Sequence, residues 1–497
     1  MRILFVTSEA YPLIKTGGLA DVSGALPKAI NQLPDFKGEI SLLLPGYSAV
    51  LAKLSTLKIV AEVAVLNQSV KLLQGCMVDS GLTVFVIQNA DLYERVGGPY
   101  NDANGNDWPD NPLRFGVLSR VASLLSAGKL LKNWQADVVH CNDWQTGLTP
   151  TYMRLLDKSP AKSIMSIHNL AFQGNCDFSW QSKLELPKSH FKIDGYEYFG
   201  QISFLKAGIY YADCLSTVSP NYAQEIQTEA FGFGLQGLLK GRADDLTGIL
   251  NGIDAAEWHP KTDAHLPKNY DLTVLKGKNI VKRELQAHLG LKIDGAAPLL
   301  GVVSRLTHQK GLDLLPQILP QLLELGCQLA LLGSGDKLLE AQFNALEESY
   351  PAQVSVTIGY HEHLSHNIMA GADMFIMPSR FEPCGLNQLY GLAYGTPPVV
   401  SPVGGLADSV TDTNALTQKN KTANGFVLES VTATSLLVTI KRALAIFSDK
   451  KAWKQLQKNG MAQNLSWEIS AEAYLALYQK ALAKKQKVSF EVGTVNA

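Results

Sequence analysis

No charge of one sign dominates this chain of 497 residues: 44 Lys and Arg stand against 45 Asp and Glu, for a formal net charge of −1. That balance removes the electrostatic footprint by which nucleic acid or an anionic membrane is gripped, so neither is expected as a partner. The one basic cluster, Lys480 to Lys487, falls at the tail and reads as a solvated helix end. No stretch reaches the roughly 18 uncharged apolar residues that a membrane span needs. The first apolar run is interrupted by Glu9 and Lys15, which marks a core strand and not a signal peptide. Six cysteines (Cys76, Cys141, Cys176, Cys214, Cys327, Cys384) are scattered without a C-x-x-C pair, a pattern that implies reduced thiols and a cytoplasmic location.

Several motifs are absent as well. There is no Asp-x-Asp pair, hence no acidic clamp for a metal-bound nucleotide diphosphate. No metal is expected, and leaving-group charge falls to Arg, Lys and helix ends. Gly333-Ser334-Gly335 is followed by Leu338 where the dinucleotide fingerprint needs its third glycine, which disfavours a nicotinamide dehydrogenase. His361-Glu362-His363-Leu364-Ser365-His366 has Ser365 where H-E-x-x-H needs its second histidine.

What is present is a repeated α/β signal. The length exceeds what one core usually supports, so two domains of roughly 200 to 250 residues are the default. Apolar strands at Leu299–Val303, Gln328–Leu332, Val354–Ile358, Met374–Met377 and Pro398–Ser401 alternate with helical segments starting near Leu312, Lys337, His363, Leu386 and Leu406. That alternation predicts a parallel sheet covered on both faces. Strands at Ile3–Thr7, Ile40–Leu44, Thr83–Gln88, Asp137–His140, Ser163–Ile167 and Cys214–Val218 predict a second one. The expected boundary lies near Thr247–Ile253, where a short strand ends in Asn251-Gly252-Ile253-Asp254, giving domains over residues 1–248 and 249–465. Ligands of such sheets bind at the carboxyl ends of the strands, so an interdomain active-site cleft is expected. The polar tail after Lys484 reads as disordered.

The candidate site residues cluster at those strand ends. Lys15, Thr16, Gly17 and Gly18 follow the first strand and open a helix (about Leu19 to Gln32). Alone, Lys15 would be a solvated loop lysine; beside two glycines and a helix N-terminus it suits a phosphate or diphosphate. Gly404-Gly405 repeats the arrangement after the strand ending at Ser401, its plainer reading being a tight strand-to-helix turn. Arg305 and Lys310 sit beside a helix start, where the dipole does not favour cations, and so point to an anion. Glu382 precedes a helix, where it either stabilises the first turn or meets a sugar hydroxyl in acid–base chemistry. His168-Asn169 and Asp143-Trp144 end strands on the same edge.

Together these segments resemble the bacterial glycogen synthase and plant starch synthase family. The resemblance is carried by K-T-G-G-L-A-D-V at Lys15 to Val22, H-N-L-A-F-Q-G at His168 to Gly174, S-R-L-T-H-Q-K-G-L-D at Ser304 to Asp313 and P-S-R-F-E-P-C-G-L at Pro378 to Leu386. F-L-K-A-G-I-Y-Y-A-D at Phe204 to Asp213, L-N-G-I-D at Leu250 to Asp254 with Trp258, and G-G-L-A-D at Gly404 to Asp408 extend it over nearly the whole chain. It implies two facing Rossmann-like domains of the GT-B glycosyltransferase architecture, with the last helix (466–484) crossing back to the first domain. It also implies retaining transfer of glucose from ADP-glucose to the non-reducing end of an α-1,4-glucan such as glycogen, with no cofactor.

By that resemblance Lys15, Gly17 and Gly18 lie at the donor diphosphate, and Arg305 and Lys310 grip its phosphates. Glu382 approaches the glucosyl group, followed by backbone donors of Cys384, Gly385 and Leu386. His168, Asp143 and Asn251 line the glucose, and Tyr360 stacks on adenine. Four positions depart from related patterns: Tyr390 stands where other retaining transferases carry a second Glu, Asn142 where His is frequent, and Val403 and Asn387 where Thr is common. Other readings remain open at this point: a UDP-glucose-dependent relative, a phosphorylase needing pyridoxal phosphate, and a catalytically silent glucan-binding protein.

Overall fold

The structure is a computed structural model that describes residues 1–54 and 56–484. The tail expected to be disordered therefore lies outside the described residues, as does the end of the basic cluster. The chain divides into two compact units. Among the described residues, one comprises 1–216, 237–247 and 471–484; the other comprises 217–236 and 248–470.

The first unit is built on a nine-stranded sheet. Its strands are β1 (Arg2–Val6), β2 (Glu39–Pro45), β3 (Lys58–Val65), β4 (Gln68–Cys76), β5 (Thr83–Gln88), β6 (Val138–Asn142) and β7 (Lys162–Ile167). After a small antiparallel sheet of β8 (Asn175–Cys176), β9 (Glu197–Tyr198) and β10 (Gln201–Ser203) come β11 (Cys214–Thr217) and β12 (Leu246–Gly248). The order is β12-β11-β7-β6-β1-β2-β5-β4-β3. β1 pairs in parallel with both β2 and β6. Ile3, Leu4, Phe5 and Val6 are fully buried, the continuous apolar run expected of a strand covered on both faces.

The connection from β1 turns first to β2 on one side, and the chain later returns to β6 on the other, so the order reverses between β1 and β6. Ligands of open α/β sheets bind at such a reversal. The residues just past these two strands are Thr7 to Glu9 and Asp143. From the far end of the chain, helix Trp467–Ala483 contributes Tyr474 and Tyr478, both fully buried, and the Tyr478 hydroxyl lies 2.9 Å from His140 Nδ1.

The second unit holds six parallel strands: β13 (Leu299–Val303), β14 (Gln328–Gly333), β15 (Val354–Ile358), β16 (Met374–Met377), β17 (Pro398–Val400) and β18 (Phe426–Val427). They are ordered β15-β14-β13-β16-β17-β18, the 3-2-1-4-5-6 order of a doubly wound dinucleotide-type sheet. The reversal falls between β13 and β16. Helix Leu315–Glu324 shows why these elements form. Leu315, Ile318, Leu319, Leu322 and Leu323 recur at helical spacing and are all buried, each contributing roughly 1.5–3 kcal/mol against exposure. Gly326, at φ 83°, ends the turn that follows.

One expectation is corrected, one holds with its start in a 3₁₀ turn, and one hairpin was not foreseen. The short strand expected to end in Asn251-Gly252-Ile253-Asp254 stops earlier, at Leu246–Gly248, so Asn251 to Asp254 lie in irregular chain beyond it. The helical segment expected near Leu312 does start there, as a 3₁₀ turn over Leu312–Leu314 that runs into helix Leu315–Glu324, and Lys310 ends a separate 3₁₀ turn just before it. The hairpin of β3 and β4 was not expected; its two-residue turn is Leu66-Asn67, at φ 49° and 59°, a left-handed pair without the usual Asn-Gly signal.

Candidate functional site

In the first unit the loop after β1 is held by a residue the sequence reading missed. Glu9 is buried, and its carboxylate accepts from the Thr16 backbone N–H at 2.6 Å, from Thr16 Oγ1 at 2.8 and 2.9 Å, and from the Tyr100 hydroxyl at 2.7 Å. Burial pushes its pKa upward, against those hydrogen bonds. Glu9 thereby anchors the loop at Thr16 and Gly17. A carboxylate directly after an apolar strand was the available signal.

Helix Gly18–Gln32 follows, with Gly17 at its N-cap in extended conformation and no side chain capping its first amides. Such amides and the helix dipole favour an anion. A Cβ added at Gly17 would meet nothing within 4 Å, so the protein's own packing does not require a glycine there. Lys15 pairs with Asp21 in the first turn of this helix, Nζ to Oδ1 2.8 Å.

Asp143, directly after β6, has φ 59° and ψ −177°, a conformation otherwise nearly confined to glycine. It is buried, Oδ1 has no hydrogen-bond partner, and burial raises its pKa to about 7 against the backbone N–H groups of Asn169, His168 and Trp144 that the carboxylate accepts. His168 Nε2 lies 3.0 Å from Asn142 Oδ1. The Asn142 amide nitrogen donates to Val6 O at 3.0 Å, which leaves Oδ1 as an acceptor and puts the His168 proton on Nε2. Burial lowers the His168 pKa to about 4, so the ring is neutral near pH 7 with Nδ1 as its basic nitrogen. Asn142 thus orients His168.

In the second unit the reversal between β13 and β16 opens into a cavity of about 170 Å³, lined by Val303, Ser304, Arg305, Lys310, Leu312, Ile376, Met377, Ser379 and Asn387. Two loops form it. Arg380 clamps them by a two-pronged pair with Asp313 at 2.6 and 2.7 Å, by donating to His308 O at 2.7 Å, and through its own N–H to Gln309 O at 2.8 Å. Gly311, at φ 65°, lets the loops touch, because a Cβ there would collide with the Pro378 carbonyl. The consequence is an ion pair: Lys310 Nζ stands 2.5 Å from Glu382 Oε2, which also accepts from Ser379 Oγ at 3.0 Å. Arg305 is exposed and forms no ion pair with any described residue.

Around Glu382 the backbone is tightly interlocked. A Cβ on Gly404 (φ 43°) would strike the Glu382 carbonyl, and one on Gly405 the Cys384 carbonyl. Gly405 N donates to Glu382 O at 3.2 Å and Pro383 O at 3.1 Å, whereas Gly404 N donates to the Glu225 carboxylate at 2.9 Å. The Gly404-Gly405 turn, expected to offer its amides to a phosphate, has those amides bonded within the protein. Asn251 joins this cluster: its backbone donates to the Cys384 thiol, whose pKa burial raises to about 12. The Asn251 Oδ1 is buried and without a hydrogen-bond partner. Gly385 is at φ 71°, and Leu386 precedes helix Asn387–Ala393, whose Asn387 amide donates to Val303 O at 2.6 Å. Tyr360, just past β15, is 73% exposed.

The structure therefore brings Lys15, Gly17 and Gly18 together in one loop and Asp143 with His168 on one sheet edge. In the other unit it gathers Lys310, Glu382, Cys384, Gly404, Gly405 and Asn251, with Arg305 on the same cavity as Lys310. Both clusters lie at sheet reversals.

Comparison with known proteins follows this division. Residues 2–241 match the starch synthase catalytic domain, and residues 287–462 match glycosyl transferases group 1. The chain is 50% identical over 494 residues to a glycogen synthase of Nitrosomonas eutropha, covering 98% of each, and 47% identical over 486 residues to one of Dechloromonas aromatica, covering 98% of this chain and 99% of that one. Among solved structures, the catalytic domain of starch synthase IV from Arabidopsis thaliana, bound to ADP and acarbose, superposes with a TM-score of 0.87 at 31% identity, covering 97% of this chain and 99% of that one. A sucrose-phosphate synthase from Thermosynechococcus elongatus shares the fold at TM-score 0.59 and 16% identity, over 97% and 99% of the two chains.

Proposed function

Because the chain belongs to the glycogen and starch synthase family of glucosyltransferases, we propose that it transfers glucose from ADP-glucose to the non-reducing end of an α-1,4-glucan with retention of configuration. The observation that carries the reading is the set of Arg305, Lys310 and Glu382 at the sheet reversal of the second unit, two cations and a carboxylate where a sugar diphosphate needs them.

In the proposed reaction the bond from the anomeric carbon to the diphosphate oxygen breaks and one to the glucan hydroxyl forms on the same face. The hydroxyl proton leaves with the diphosphate oxygen, so the products are the lengthened glucan and ADP, and no cofactor is called for. Arg305 and Lys310 stabilise the charge that grows on the diphosphate. Lys15 and the uncapped amides of the Gly18 helix contribute to the same charge. Asp143, Asn251 and Glu382 hold sugar hydroxyls, neutral His168 offers one fixed hydrogen bond to the glucose, and Tyr360 covers the adenine. In this reading residues 1–248 with helix 466–484 serve acceptor and catalysis, and residues 249–465 bind the nucleotide sugar. The six cysteines are free thiols, which fits a reducing cytoplasm.

The test is ADP release from ADP-glucose with and without glycogen. Glycogen-dependent release with chain growth is the expected result. A strong preference for UDP-glucose overturns the donor, and glucan binding without ADP release overturns catalysis in favour of a binding protein.

A further inference from the structure

We propose that Glu257, Glu362 and His366 bind one divalent cation of the zinc class, tying the loop that carries Glu257 and Trp258 to helix Glu362–Gly371. Each of these residues offers one ligand atom, and the three atoms lie within 4.8 Å of one another. Glu362 and His366 are one helical turn apart on the same face. The arrangement differs from H-E-x-x-H: the helix supplies a carboxylate where that motif has its first histidine, and the preceding loop supplies the third ligand.

His366 is the observation that separates this cluster from ordinary surface acids. It is fully buried, and Nε2 faces Glu362 as an ion pair whose geometry falls short of a hydrogen bond. Nε2 lies 3.4 Å from Glu362 Oε1. That is longer than an N–H···O bond of about 2.7–3.2 Å. It matches the ligand-to-ligand edge, about 3.3–3.4 Å, of a tetrahedron whose metal bonds are about 2.0–2.1 Å.

The rest of the ring is arranged as a metal-bound imidazole requires. Nδ1 stands 2.7 Å from Asp263 Oδ2, which also accepts from the Tyr394 hydroxyl at 2.5 Å, while Asp263 Oδ1 accepts from the His265 backbone at 2.8 Å. Asp263 is thus fully occupied as an acceptor, holds a proton on Nδ1, and turns Nε2 toward the two glutamates, where a cation that displaces the Nε2 proton would complete the carboxylate–histidine–metal order. Trp258 stacks on the ring at 3.8 Å between centroids and an interplanar angle of 13°, fixing its plane. One imidazole and two carboxylates suit zinc or a similar transition ion, whereas magnesium and calcium prefer all-oxygen sites; water completes the fourth position. None of these residues belongs to the glucose-transfer machinery, so the cation is structural.

The experiment strips the full-length protein with EDTA and titrates it with Zn²⁺, Co²⁺ and, as control, Mg²⁺. The expected result is one equivalent of Zn²⁺ per chain, a raised Tm, and with Co²⁺ the intense visible absorption of a tetrahedral site. Glu257→Gln and Glu362→Gln spare the Asp263–His366–Trp258 packing and so keep the test open where a His366 variant fails to fold. Each is expected to weaken Zn²⁺ binding at least 10-fold, the range that losing even an outer partner of a metal ligand costs. Folded protein that takes up no stoichiometric Zn²⁺, or uptake that both variants leave unchanged, overturns the site. The cluster is then an imidazolium held between carboxylates.

Discussion

Lys310 Nζ lies 2.5 Å from Glu382 Oε2, with Ser379 Oγ as the carboxylate's other donor. A lysine the sequence assigns to phosphate and a glutamate it assigns to sugar are therefore one ion pair, and each fixes the other's position. Arg305 on the same cavity makes no such pair and has its whole fork available. The two cations, alike in the motif, are unlike in the folded protein.

Their alanine variants should differ accordingly. Arg305→Ala and Lys310→Ala are both expected to lower kcat by about 10²-fold or more, the usual loss for one preorganised charge contact. Only Lys310→Ala should also lose stability, by about 1.5–3 kcal/mol, because it leaves buried Glu382 without its cation. Adding Glu382→Gln to Lys310→Ala should restore much of that stability and none of the activity. Turnover with urea unfolding checks both halves; near-normal kcat in folded Arg305→Ala, or wild-type stability in Lys310→Ala, removes the assignment.

The glycine loops divide in the same way. Gly17 has open space where a Cβ would go and an extended backbone, so Gly17→Ala should fold with an unchanged Tm and raise the KM for ADP-glucose. Gly404→Ala forces a methyl group into the Glu382 carbonyl at φ 43°, and is expected to lower Tm and expression before any kinetic effect is reached. Thermal melts of the two variants side by side decide this, and a destabilised Gly17→Ala with normal KM reverses it.

The sequence made the parallel strands legible because their double burial leaves continuous apolar runs, as in β1, β13 and β16. It hid the β3–β4 hairpin, whose strands are half exposed and whose turn is Leu66-Asn67. At the site, residues at strand ends could be picked out one by one. What could not be read were partnerships across long sequence separations: Glu9 with Tyr100, Lys310 with Glu382, Glu225 with the Gly404 amide. Spacing marks a position on an edge, whereas only the folded chain shows which amide or cation is already engaged. The Gly404-Gly405 turn is the clearest instance, since its pattern resembles the Lys15 loop while its amides serve the protein itself.

With no Asp-x-Asp clamp in the chain, glucose transfer should survive brief treatment with EDTA even if Tm falls through loss of the cation proposed at His366. Initial rates before and after chelation, at a temperature well below the melt, separate the two effects. Abolition of transfer with rescue by magnesium or manganese contradicts a donor site served by Arg and Lys.

Asp143 gives the sharpest dependence on pH. Its carboxyl pKa is raised from 3.8 to about 7 by burial, so the folded state favours the protonated form. Below about 3.8 it is protonated whether folded or not, and contributes nothing. Between there and 7 the folded state keeps a proton that the unfolded chain has released, so stability falls as pH rises by up to about 1.4 kcal/mol per unit; above 7 the cost is constant, on the order of 3–5 kcal/mol. Asp143→Asn keeps the shape, can turn its carbonyl to the amides of Asn169, His168 and Trp144, and removes the charge. It should be more stable than the native chain at pH 8, with a lead that shrinks steadily to nearly nothing at pH 4, and it should lose most of its kcat because the acidic group is gone from the proposed sugar site. Urea unfolding of both proteins at pH 4, 6 and 8, with ADP release at pH 8, gives the answer. A variant less stable at pH 8, or a lead that does not change with pH, shows that Asp143 is not held against its charge, and full activity in that variant removes it from the reaction.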